Sequence, residues 1–202
     1  PRLLAVPGNH EYDQPSAADY FAYAGLSAGP AGLGYYSFDF HGWHIVALNS
    51  NCSEIDGCEP GSPQYQWLAA DLAAHPTKCT LAFWHHPLHS SSRSGGTEAV
   101  RWFWQLLYAA DAELILNGHD HQYERYAPMN VIGGADLEHG LRQFIVGTGG
   151  AGLWIWREQP AALSSRVIDY GVLRLELGEG DYSWQFITAD GSVSDYGVGE
   201  CR

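Results

Sequence analysis

Histidine is concentrated in three short polar turns: Asn9-His10-Glu11, His85-His86 and His119-Asp120-His121. Neutral imidazole and a side-chain amide oxygen are good ligands for first-row metals, and two histidines at i, i+2 in a turn can face one cavity. Each turn follows an apolar run: Leu3-Leu4-Ala5-Val6 broken by Pro7-Gly8, then Thr80 to Trp84, then Ala112 to Leu116. Loops beyond the C-terminal ends of sheet strands are where α/β proteins gather functional groups. A lone histidine is more often a hydrogen-bonded core or surface residue. Three such turns in order point instead to one metal-bearing site. There is no HExxH helix, which argues against a zinc peptidase.

Turns of this kind need a sheet to carry them. Leu3 to Val6, Thr80 to Trp84, Ala112 to Leu116 and Arg142 to Val146 read as buried strands. Tyr35 to Phe40 and Trp43 to Leu48 read as a pair joined by a His41-Gly42 hairpin turn. Gly171 to Leu177 and Tyr182 to Ile187 alternate as two further strands. Helices are predicted over Ala17 to Gly25 with Ser16 as N-cap, and over Pro63 to His75 with Ser62 as N-cap. A third runs from a Thr97 cap to Tyr108, with Val100, Phe103, Trp104 and Leu107 on one face. Ser90 to Gly96 is a loop. Strands mixed with helices early and strands alone later imply α/β layers around a large mixed sheet.

A length of 202 residues suits one domain with a real core. A formal charge of -13 argues against a nucleic-acid backbone as partner, because phosphate contacts need clustered Lys and Arg. No run of about 20 apolar residues is present, so no membrane span is expected. The chain opens at Pro1 without methionine and reads as a piece whose targeting segment would lie upstream. Four cysteines allow three pairings. Cys52–Cys58 with Cys79–Cys201 is favoured and suits an oxidising compartment, with four reduced thiols as the alternative. The pairs Trp102/Trp104 and Trp154/Trp156 suggest either half-buried core or a glycan-binding surface.

Gly8-Asn9-His10-Glu11, His85-x-Pro87 and Gly118-His119-Asp120-His121 resemble the third, fourth and fifth motif blocks of the calcineurin-like metallophosphoesterase superfamily. Tyr123-Glu124-Arg125 is similar to the purple acid phosphatase version, and Gly147-Thr148-Gly149-Gly150 with Tyr170-Gly171-Val172-Leu173 to secreted bacterial members. The resemblance implies an α/β fold, a four-layer α/β/β/α sandwich that is N-terminally truncated here. Residues 1–202 would be the C-terminal part of a single catalytic domain. It implies that Asn9, His85 and His119 ligate one metal and His121 the other. His10, oriented by Glu11, would contact the phosphate or leaving oxygen, and His86 could reach substrate. Glu124 and Arg125 are expected to be structural and to pair with each other.

The implied activity is hydrolysis of a small phosphate ester, monoesters before diesters, by metal-activated hydroxide. The implied cofactors are two divalent or trivalent ions (Fe, Zn or Mn) in the intact parent. The first two blocks of the family, which supply aspartate ligands, do not occur here, so one tightly bound ion or fewer is expected for this chain. A catalytically incomplete scaffold and a ligand-binding module are the alternatives. The expected partner is the missing N-terminal segment of the same domain, and the expected location is extracellular or periplasmic. Without that segment, unpaired edges and exposed apolar surface would favour aggregation.

Overall fold

Period-two burial organises the larger sheet. The structure, a computed structural model, describes residues 3–77, 79–93, 95–155 and 159–202. Strands β1 (Tyr36–Phe40), β2 (Trp43–Ala47), β3 (Cys79–Phe83), β4 (Leu114–Asn117), β5 (Tyr123–Tyr126), β6 (Arg142–Val146) and β7 (Leu163–Val167) form a sheet ordered β1-β2-β3-β4-β6-β5-β7. Its centre, β2-β3-β4-β6, is parallel, and β1, β5 and β7 pair antiparallel. Successive side chains in a strand point to opposite faces. Trp43, Ile45, Leu81, Leu114 and Phe144 therefore enter one apolar core, while Val46, Ala82, Ile115 and Ile145 enter another. Burial on both faces explains why these strands read as continuous apolar runs.

The first core lies under a second, antiparallel sheet of β8 (Gly171–Leu177), β9 (Asp181–Thr188) and β10 (Val193–Glu200), ordered β10-β9-β8. Tyr182, Trp184 and Phe186 of β9 form its inner face. The second core lies under helices α2 (Pro63–Ala74) and α3 (Arg101–Ala109), which bury Leu68, Leu72, Phe103, Trp104 and Leu107. Helix, sheet and sheet thus stack in the order expected of the mixed α/β sandwich. The two sheets are joined by the favoured disulfide Cys79–Cys201, and Cys52–Cys58 closes the short loop. They are also joined by Arg125, whose guanidinium donates to both Asp195 oxygens at 2.7 and 3.0 Å.

That ion pair corrects the expected Glu124–Arg125 contact. Neighbours on a strand face opposite ways, so Arg125 reaches the second sheet. Glu124 turns to the helical side, accepting from Gln122 and Tyr126 at 2.7 Å each and lying 3.4 Å from Arg166. Leu3 to Val6 is not a strand, because no described strand offers it a ladder partner. Its Ala5 amide bonds the Ser27 carbonyl at 2.9 Å and the Tyr36 hydroxyl at 3.1 Å. Ser16 does not cap the first helix. It sits at φ 57° in a single tight turn, and α1 (Ala18–Ala24) starts after it. Ser62 does cap α2, accepting from the Tyr65 amide. Thr97 makes no side-chain cap, since a 3-10 turn (Glu98–Val100) precedes α3. The hairpin turn has positive φ at both His41 and Gly42, as a two-residue loop demands. Pro1, Ser94 of the expected Ser90 to Gly96 loop and Trp156 lie outside the described residues.

Candidate metal centre

β3 and β4 deliver their turns to the same end of the sheet. The Gly118 amide donates to the His85 carbonyl at 3.0 Å, locking the two turns edge to edge. His119 sits at φ 63°, a left-handed conformation that costs a non-glycine residue energy and that functional sites often retain. The Asn9 turn reaches them without a strand of its own. Asn51 at the end of β2 donates to the Pro7 carbonyl at 3.1 Å, and Asn49 donates to the Tyr12 hydroxyl at 2.7 Å. A β-carbon on Gly8 would stand 2.8 Å from His85 Cε1, so only glycine lets this turn close over His85.

The outcome is a tight donor set. Asn9 Oδ1 lies 2.9 Å from His85 Nε2 and 3.2 Å from His119 Nδ1, and those two nitrogens are 3.2 Å apart. Ligand atoms bonded to one zinc-like ion at about 2.0–2.1 Å stand roughly 3.0–3.4 Å from each other. Three lone-pair atoms at that spacing fit one cation. The residues therefore fit a metal. Burial, reinforced by neighbouring histidines, holds His85 down to about 3 and His86 down to about 4, and burial lowers His119 as well. Neutral imidazole is the form that ligates.

His86 stands closer to the centre than a peripheral substrate contact would require. Its ring nitrogen lies within 4.8 Å of those of His85 and His119. Ser50 fixes it twice: the hydroxyl accepts from the His86 amide at 3.0 Å and lies 2.9 Å from Nδ1. His121 is placed apart from this triplet. Its Nδ1 faces the Gly152 carbonyl at 2.8 Å, which leaves Nε2 as the atom that could take a metal, and the Trp154 ring lies 4.5 Å from its own. Such a backbone partner on the far nitrogen is how ligating histidines are oriented. Among the described residues, no carboxylate joins the histidine triplet.

His10 is exposed, and its Nδ1 lies 3.0 Å from Asp13, so the expected orientation by Glu11 is corrected. Glu11 instead accepts from the Gly8 amide at 2.6 Å. The third residue of a short helix reaches back to its start, away from the side chain before it. Asp120 and Glu124, both buried, hold the loop after His86 by accepting from the Ser90 and Ser91 hydroxyls. Sequence reasoning missed Asn49, Ser50 and Asn51. Their signal was a fourth apolar strand ending in a polar triplet, one without histidine. Trp104 is fully buried, which removes it from any glycan surface.

Residues 1–123 match the family model described as Calcineurin-like phosphoesterase. The chain is similar to purple acid phosphatase 22 of Arabidopsis thaliana, 34% identical over 163 residues, covering 74% of this chain and 36% of that protein. It is also similar to purple acid phosphatase 15 of Arabidopsis thaliana, 32% identical over 136 residues, covering 61% and 25%. It superposes on the purple acid phosphatase PPD1 of yellow lupin (Lupinus luteus) seeds with a TM-score of 0.74 at 20% identity, covering 96% of this chain and 40% of that one. GAP50, the anchor in the inner membrane complex of Plasmodium, follows at 0.61 and 14%, covering 83% and 53%. The chain thus spans only 25–36% of the length of these curated relatives.

Proposed function

The chain belongs to the calcineurin-like phosphoesterase family, and from that premise we propose that residues 1–202 are the C-terminal part of a single catalytic domain that hydrolyses phosphomonoesters. The observation that carries this reading is the donor set of Asn9, His85 and His119, three neutral ligand atoms 2.9–3.2 Å apart at the strand ends. In this reading those three residues hold one ion, and His121 contributes Nε2 to a second. The metals, of iron, zinc or manganese type, supply Lewis-acid activation of the phosphoryl group and a water of low pKa when bound.

The chain's own residues do the rest. His10 faces Asp13 through Nδ1, so Nε2 is the atom that gives a proton or hydrogen bond to the leaving oxygen. His86, clamped by Ser50, contacts a phosphoryl oxygen. Glu11 holds the Gly8 turn and so keeps Asn9 in place. The aspartate ligands of the second ion come from the upstream segment, which also covers the open face between the sheets. Two disulfides support an extracellular or periplasmic location. Among the described residues, no helix is long and apolar enough to cross a membrane. A second reading, in which this chain alone is a scaffold without turnover, is favoured by the histidine triplet having no carboxylate member among the described residues.

Elemental analysis after zinc or manganese loading tests the two readings together with phosphomonoester hydrolysis. Restoring the upstream segment is expected to raise the metal count from one or none to two and to bring turnover. In that longer form, His10→Ala is expected to lower turnover about 10²–10⁴-fold with metal content unchanged. Loss of the metals along with activity would sink the His10 assignment.

A further inference from the structure

An open hollow of about 500 Å³ lies beside the centre, lined by Arg93, Leu153, Trp154 and Ile155. Trp154 links the two. Its amide donates to the His121 carbonyl at 3.0 Å, and its ring lies 4.5 Å from that of His121 and 5.9 Å, edge-on, from that of His119. The loop that carries Arg93 is anchored too, because the Ser90 and Ser91 hydroxyls donate to buried carboxylates. Ile155 is 80% exposed and offers apolar surface to this hollow. Among the described residues, an indole, two aliphatic side chains and a guanidinium form a slot for a flat ring with a negative substituent. Indole favours stacking, and a planar guanidinium favours a carboxylate or phosphate.

We propose that this hollow receives the leaving group, and that the substrates it selects are phosphomonoesters of planar aromatic alcohols carrying a second anionic group. The proposal rests on the phosphoesterase reading above. Because the Trp154 ring adjoins those of His119 and His121, the alcohol part of an ester held at the histidines has the indole within reach. The anionic substituent then reaches Arg93.

The test is calorimetric binding of four non-hydrolysable phosphonates to the zinc-loaded full-length natural protein: methyl-, hexyl- and phenylphosphonate and 4-phosphonobenzoate. Phenylphosphonate is expected to bind about tenfold more tightly than methylphosphonate and more tightly than hexylphosphonate. The carboxylate is expected to add a few-fold more, as a partly exposed ion pair does. Trp154→Leu should bring the phenyl and hexyl affinities together, and Arg93→Gln should erase only the carboxylate gain, each with metal content unchanged. Equal binding of methyl- and phenylphosphonate, or selectivity untouched by both substitutions, overturns the subsite and leaves the phosphoesterase reading standing. Hexylphosphonate matching phenylphosphonate overturns the aromatic preference. Failure of all four to bind overturns both readings.

Discussion

His44 Nε2 lies 2.9 Å from Asp71 Oδ2, so a fully buried ring on β2 is tied to helix α2 across the layer between them. Its other nitrogen lies 2.8 Å from Asp39 on β1, the Ser37 hydroxyl donates to the second Asp71 oxygen at 2.7 Å, and His75 stacks on the His44 ring at 4.6 Å. Edge strand, inner strand and helix meet at one imidazole. The segment that follows this strand carries Asn49, Ser50 and Asn51, which hold the Asn9 turn and His86.

His44→Leu is expected to cost about 2 kcal/mol, because the Asp71 side chain, 8% exposed, loses a buried hydrogen-bond partner. Asp39→Asn should cost under about 1 kcal/mol, since that side chain is 67% exposed and water replaces the contact. Urea denaturation midpoints of the two variants check the difference. Equal losses would remove the special standing of the Asp71 contact.

Much of the centre was legible because its chemistry is local. Three apolar runs each followed by a histidine turn pointed to Asn9, His85 and His119 meeting, and they do so to within 3.2 Å although the run before Asn9 forms no strand. What sequence could not show is long-range pairing. Asp39 and Asp71 read as an ordinary strand residue and a helix residue, and only the fold brings them to His44. Likewise Arg125 and Asp195 are 70 residues apart, and nothing local distinguishes Asp195 from Glu124 as the partner. β5, β7 and β10 escaped notice because Tyr123–Tyr126 is short and Val193–Glu200 is rich in glycine and polar residues. Their pairing comes from neighbours rather than from propensity.

Stability of the metal-stripped protein should fall as pH drops below 6.5. His85, His86 and His119 all have folded-state values lowered from 6.5, to about 3 and about 4 for the first two. Above 6.5 both folded and unfolded forms are neutral and nothing is lost. Between 6.5 and about 4 the unfolded chain takes up protons that the folded chain refuses, which favours unfolding. Asp195 does not interfere in this window. Burial pushes its value up, but hydrogen bonds from Arg125 and Tyr123 leave it below 3.8 overall. Urea midpoints at pH 7.5, 6 and 5 in chelator should decline in step, and His85→Gln should flatten the decline. A flat profile in the unsubstituted protein would mean that these rings accept protons freely.

The two disulfides should differ in worth. Cys79–Cys201 spans a separation of 122 residues and Cys52–Cys58 one of 6. By loop-closure entropy the first stabilises by about 5 kcal/mol and the second by about 2. Thermal unfolding of the paired serine variants checks the order. The Cys52/Cys58 variant should remain folded, but its loop begins next to the Ser50–His86 clamp. It is therefore expected to bind zinc less tightly, whereas equal zinc affinity would separate that loop from the centre.

Leu4, Phe38, Phe40, Phe83, Leu116 and Leu177 line an open groove of about 500 Å³ on the inner side of the larger sheet. Beside it, β8 is an edge of the three-stranded sheet. Phe40 is 55% exposed and Val172 on that edge is 62% exposed. An apolar face next to a strand edge invites pairing with another chain. Light scattering on residues 1–202 alone should show a mass that rises with concentration. Val172→Lys, which places a charge on the edge without touching either core, should reduce that rise, and adding the upstream segment in the same polypeptide should abolish it. A monomeric solution with one sharp thermal transition would mean that this groove and edge are stable open to water.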